Sequence, residues 1–220
     1  MRKIFPFKRK RRKAGQSMVE FAIFLPILLM LLTGVVEFGF MLNQYVSLVH
    51  GTRQAARYYS VFTPFNTDGS DNPDFYNGAI SELQNSILPL KLDENADDVV
   101  VTVFSISDNG TFERFPKPGG MGGGWHWRNN DASRFTNEML KSRLTAGAPP
   151  TGALLVEVFY DYHHLLGLPW LTAFVPNPTT LYAYTFMPLS AAEPTPAPSS
   201  FLPGNFPANF LLSFDLGGSK

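Results

Sequence analysis

From residue 21 to residue 42 the chain reads FAIFLPILLMLLTGVVEFGFML, an apolar run interrupted by a single charge, Glu37. Wound as a helix at about 1.5 Å per residue, it extends roughly 33 Å, close to the ~30 Å hydrocarbon thickness of a bilayer. Pro26, Thr33, Gly34 and Gly39 are compatible with a span, because membrane helices accept such residues where neighbouring groups satisfy the freed backbone. Arg2, Lys3, Lys8, Arg9, Lys10, Arg11, Arg12 and Lys13 precede the run, and only Arg53 and Arg57 follow it closely. Carrying that cluster across a membrane is costly. The expected orientation is therefore single-pass in the cytoplasmic membrane, N-terminus inside and the C-terminal domain extracytoplasmic. A cleaved secretory signal fits less well. The apolar core is longer than a usual h-region, and the following NQYVSLVHG lacks a small-x-small cleavage site.

The span accounts for a small part of 220 residues, leaving enough chain for one further domain. A formal net charge of zero conceals a division between a basic leader and an acidic remainder. No nucleic-acid partner is expected from that balance. The absence of cysteine excludes disulfides, thiolate metal sites and cysteine nucleophiles. Abundant phenylalanine and tyrosine supply apolar area for a packed core instead.

Two carboxylates border or enter the span, Glu20 and Glu37. An ionised carboxylate in hydrocarbon is expensive and tends to have a partner. Either both reach toward the interfaces and do nothing more, or they meet partners during assembly. Around Glu20 the order is basic arm, Gly15, Gln16, and then Glu20-Phe21 at the start of the apolar run. This resembles a class III prepilin-type signal. The resemblance implies cleavage between Gly15 and Gln16 by a prepilin-type peptidase, since a side-chain-free glycine suits an extended backbone in a protease cleft. It also implies that the new ammonium group pairs with Glu20 of a neighbouring subunit, relieving two desolvation costs together.

The wider segment from Gly15 to Val61 is similar to the N-terminal region of TadE-like proteins, pseudopilins of the tight-adherence (Flp) pilus assembly system. The matching features are GQSMVEF, the leucine-rich span with Pro26, Glu37-Phe38-Gly39 and Gln54-Ala55-Ala56-Arg57-Tyr58. Phe21 departs from the tyrosine often found there. The resemblance implies Glu20, Phe21 and Glu37 as assembly residues, and as partners the lipid bilayer, the peptidase and other pilus assembly subunits.

Beyond the span the pattern predicts an α+β fold: one long N-terminal transmembrane helix, then a small extracytoplasmic domain with an antiparallel sheet and one or two helices. The divisions are a leader over 1–15, the helix with its extension over 16–60, the domain over 61–189 and a proline-rich flexible tail over 190–220. Tyr45, Leu48, Val49, Thr52, Ala55, Ala56 and Tyr59 form a stripe at helical spacing, which carries the helix out of the lipid. Arg53 and Arg57 belong to a solvated face near its C-terminus. Residues 63–73 are loop, and their acidic cluster does not follow the calcium-loop ladder. A helix is expected over 74–88 and ends before Pro89. Strands are expected over 98–107, 111–115, 153–162 and 180–189, with a turn at Asp108-Asn109-Gly110. Residues 132–144 suggest a short helix.

Residues 116–128, PKPGGMGGGWHWR, lack the lysine-serine/threonine ending of a phosphate loop. They read as a mobile loop presenting Trp125 and Trp127 to a partner or the membrane interface, with His126 lacking a ligand partner. His163 and His164 read as a turn with two exposed imidazoles. No nucleophile or metal motif appears, and Glu157 and Asp161 lie roughly 13 Å apart along a strand, too far for a carboxylate pair. The expectation is a protein without enzymatic activity or cofactor. Its alternative identity is an uncleaved membrane-tethered binding module.

Overall fold

The computed structural model describes residues 14–107, 111–142 and 150–193, with side chains from Ser17 onward. The basic leader through Lys13, the turn at 108–110 and the tail beyond Glu193 lie outside the described residues.

The first helix, α1, runs from Ala14–Tyr59 without interruption at Pro26. At about 1.5 Å per residue its 46 residues extend roughly 69 Å, twice what a bilayer core needs. It is long and apolar enough to cross a membrane, which suggests single-pass anchoring. Its N-terminal half is largely exposed, with Phe24, Leu28 and Leu32 each more than half exposed and Thr33 and Gly34 partly covered. Its C-terminal half buries one stripe, in which Glu37, Leu48, Thr52, Ala55 and Ala56 are buried and Met41 and Gln44 partly so. Steps of three and four residues keep these positions on one face. Tyr45, expected in the stripe, is 41% exposed and stands outside it. Arg53 and Arg57 are exposed.

Helix α2 (Pro73–Ser86) starts where Asn72 accepts the Asp74 N–H at 3.0 Å and Pro73 occupies the first turn. It packs Phe75, Ala79, Ile80 and Leu83 into the core beneath α1. Contact is close. A Cβ on Gly51 of α1 would collide with the Ile87 side chain, and one on Gly78 of α2 with the Tyr59 ring.

The sheet comprises β1 (Asp98–Ile106), β2 (Phe112–Phe115), β3 (Trp125–His126), β4 (Thr151–Tyr162) and β5 (Thr179–Pro188), paired antiparallel throughout in the order β2-β1-β4-β5. Strand β3 joins β1 beside β2, with Val101 opposite Trp125. One face, with Val99, Val101, Val103, Leu154, Val156 and Val158, packs on α1 and α2. The other carries Phe104 and Leu155 against Phe135. Burial on both faces explains why β1 and β4 read as nearly continuous apolar runs.

Three expectations need correction. The helix expected over 132–144 is, among the described residues, only α3 (Asn137–Lys141); the chain before it is held by hydrogen bonds to Glu157 and Arg114. The tail begins in the core, since Leu189 and Ala192 are buried and Ser190–Ala192 form a 3-10 turn. The glycine-rich segment is an ordered turn, closed by Gly120 N–H to the Gly124 carbonyl at 2.9 Å. Gly123 and Gly124 hold φ of 82° and 97°, a region that favours glycine.

Candidate functional site

Where α1 first meets the domain closely, Glu37 turns inward and is 3% exposed. Its Oε1 accepts the Tyr162 hydroxyl at 2.6 Å and the Leu165 N–H at 2.7 Å, and its Oε2 accepts the Leu166 N–H at 2.9 Å. The donors come from the end of β4 and from the β4–β5 loop, residues 163–178. One carboxylate therefore ties α1 to the domain. Three donors on a buried carboxylate supply what water would otherwise supply, each bond to a charged group contributing about 1.5–3 kcal/mol. Burial, followed by the bond to Glu37, pushes the Tyr162 phenol up, so the hydroxyl keeps the proton it donates. His164 is also buried, correcting the expectation of two exposed imidazoles; His163 alone is exposed. His164, Phe38, Met41 and Leu171 close around a cavity of about 10 Å³ beside Glu37.

Farther along α1, the Thr52 and Thr185 hydroxyls are 3.1 Å apart, joining the helix to β5. In the opposite direction, the Trp170 ring lies on Gly34, where an added Cβ would stand 3.3 Å from the ring. Glycine here permits the β4–β5 loop to approach the helix closely.

Glu20 and Phe21 lie near the N-terminal end of α1, and both face outward; Phe21 is 61% exposed. Gly15 and Gln16 stand in the first turn of the helix. These four residues are therefore grouped at one end of the rod, whereas Glu37 belongs to the junction with the domain.

Trp125 and Trp127 are held by their own domain and are not displayed on a mobile loop. The Trp125 indole N–H donates to the Asn77 side chain at 2.9 Å, and its ring stacks on Tyr76 with centroids 5.4 Å apart. The Trp127 N–H donates to the Val99 carbonyl at 2.9 Å. Between them His126 does have a partner: its Nδ1 is 2.9 Å from Asp98 Oδ2, with side-chain exposures of 1% and 0%. Asp98 also accepts the N–H groups of Arg128, Asn130 and Asp131. Burial opposes ionisation of Asp98, but the bonds from His126 and the backbone outweigh it and hold the carboxyl below its usual range. This pair fastens β3 and the following turn to β1.

Glu157, at 0% exposure, is occupied in the same way. It accepts from the Ser133 hydroxyl at 2.5 Å, the Arg134 N–H at 3.0 Å and the Tyr182 hydroxyl at 2.7 Å. In the acidic loop, Asp71 accepts from the Tyr76 hydroxyl and from the Lys117 N–H. The buried carboxylates thus fasten segments of this domain to one another.

Residues 15–57 match a family model described as TadE-like protein. The match coincides with α1 and covers neither the sheet nor the β4–β5 loop. No curated protein and no solved structure matches the chain.

Proposed function

We propose that this chain, whose membrane helix is a TadE-like segment, is a membrane-anchored pseudopilin acting in assembly of a Flp-type pilus or a related secretion apparatus. The match over residues 15–57 carries the reading, because it takes in both the processing motif at its start and the helix that would pack against other subunits. In this proposal the basic leader stays on the cytoplasmic face and the α+β domain lies outside. A prepilin-type peptidase cuts between Gly15 and Gln16. Helix ends fray readily, so the first turn of α1 can open into the extended form a protease requires. Glu20 then faces the new N-terminus of a neighbouring subunit within the bilayer, and the role is structural rather than catalytic.

The arrangement of α1 supports this division of labour. Its C-terminal stripe is already occupied by α2 and β5, which leaves the N-terminal half with an apolar surface for lateral packing with other helices. Mass spectrometry of the mature chain in its native host tests the processing step. A start at Gln16 is expected, and Gly15→Ala should abolish it. An intact start at Met1 would instead favour the membrane-tethered module. Glu20→Ala should leave insertion unchanged and reduce incorporation into the apparatus; full incorporation would contradict the pairing role.

A further inference from the structure

The β4–β5 loop reads HHLLGLPWLTAFVPNP over residues 163–178. Between Asp161 and Glu193 there is no Asp, Glu, Lys or Arg. Beside the exposed polar side chains of His163, Thr172 and Asn177, large apolar groups are prominent on the exposed face of the loop: Leu165 is 62% and Phe174 81% exposed. A loop facing water rarely gathers such groups, and contiguous apolar surface of this kind marks a contact.

The loop lies along α1. Together they enclose an apolar groove of about 730 Å³, lined on the helix from Ile27 to Phe38 and on the loop by Trp170, Leu171, Phe174 and Val175. Eleven helical steps measure roughly 16 Å along the axis, all of it inside the apolar run. A loop beside those residues shares their surroundings, since Trp170, Leu171, Phe174 and Val175 line the same groove as the helix.

Backbone outside a helix is tolerated at membrane depth only where the protein satisfies its polar groups. This loop meets much of that condition. The Leu165 and Leu166 N–H groups go to Glu37, and the His164 N–H to Asn177 Oδ1. The N–H groups of Leu171, Thr172, Phe174 and Val175 find carbonyls within the loop, and the Thr172 hydroxyl donates to the Pro169 carbonyl at 2.9 Å. Pro169, Pro176 and Pro178 have no N–H to satisfy.

We infer that the β4–β5 loop is a second membrane-embedded element, dipping into the same leaflet as the C-terminal part of the span, with lipid acyl chains filling the groove against α1. Glu37 is then the polar root of the insertion, holding two loop N–H groups where water is scarce. The inference rests on the reading that α1 crosses a bilayer.

The chain contains no cysteine, so single thiols can be placed cleanly. Phe174→Cys and Leu165→Cys remove exposed side chains and leave the core intact. Each is labelled with an environment-sensitive fluorophore in the full chain, reconstituted in phosphatidylcholine–phosphatidylglycerol vesicles containing lipids brominated on the acyl chains. Leu31→Cys reports on the span, and Arg57→Cys on water. The expected result is quenching of both loop probes to the extent seen at Leu31, with Arg57 unquenched. Quenching at Leu31 with unquenched loop probes would overturn the inference while leaving the span intact. In that case, labelling by a membrane-impermeant maleimide would place the loop in water, and shielding would place a protein partner over it. An unquenched Leu31 would remove the spanning reading, and the loop insertion with it.

Discussion

The two halves of α1 are built from similar residues and live by different rules. In the N-terminal half, Leu28 is 57% exposed and leucines stand on every side. In the C-terminal half, Leu48 is fully buried, and its neighbours along the stripe are chosen for fit: Gly51 under Ile87, Ala55 and Ala56 against the sheet and α2. A lipid-facing surface asks only for apolarity, because acyl chains adapt to any shape. A docking surface asks for shape as well, because protein interiors pack as densely as organic crystals.

The contrast can be broken most sharply with matched truncations. Leu48→Ala should lower the stability of the domain by about 2–5 kcal/mol, the usual cost of a buried leucine, whereas Leu28→Ala should leave its thermal midpoint unchanged. Equal shifts in the two variants would show that both halves dock. At the junction, Glu37→Gln retains an acceptor but sets an amide N–H against one of the three donors. About 1–3 kcal/mol of local stability should be lost, read as faster hydrogen exchange at Leu165 and Leu166. Unchanged exchange would mean that Glu37 does not hold the loop.

Acid should separate the regions further. Because the Asp98 carboxyl is held below its usual range in the fold, its stabilisation is complete above the unfolded value of about 3.9 and is lost as pH falls through the lower folded one. Burial pushes the Asp97 and Asp131 carboxyls up, so these groups favour the protonated form and act in the opposite sense. Asp98→Asn should therefore flatten the acid limb of domain stability and leave membrane retention of α1 unaltered. An acid limb identical to that of the parent would exclude Asp98 as its source. The smallest effect is expected at Arg57→Ala, a change on an exposed face, within about 0.5 kcal/mol by thermal unfolding; a larger loss would reveal a contact on the solvated side.

Much of the fold was legible because its signals are local. The strand expected over 98–107 is Asp98–Ile106, that over 153–162 is Thr151–Tyr162, and the helix expected over 74–88 is Pro73–Ser86. β-Branched runs, alternation and helix-stop prolines act within a few residues of one another. The glycine-rich segment misled because glycines also serve turns that approach a neighbour closely: a Cβ on Gly124 would run into Thr102 and Val100. The contacts of Trp125 and Trp127 with Asn77, Tyr76 and the Val99 carbonyl leave no trace in the sequence around them. The loop over 163–178 did leave a signal, its want of charge, but at 16 residues with three of them proline it matches neither a span nor a strand.

By itself the sequence determined that α1 is a long apolar rod with a basic leader, that a glycine-glutamate motif stands at its start, and that a cysteine-free α+β domain follows. Each of these depends on composition or on spacing within one segment. Tertiary structure alone decided which face of α1 docks, that Glu37 is taken up by Tyr162 across 125 residues of chain, and that the β4–β5 loop returns to lie along the helix. A carboxylate entering an apolar run must find donors or stay near water, and only the folded chain establishes which donors come within reach.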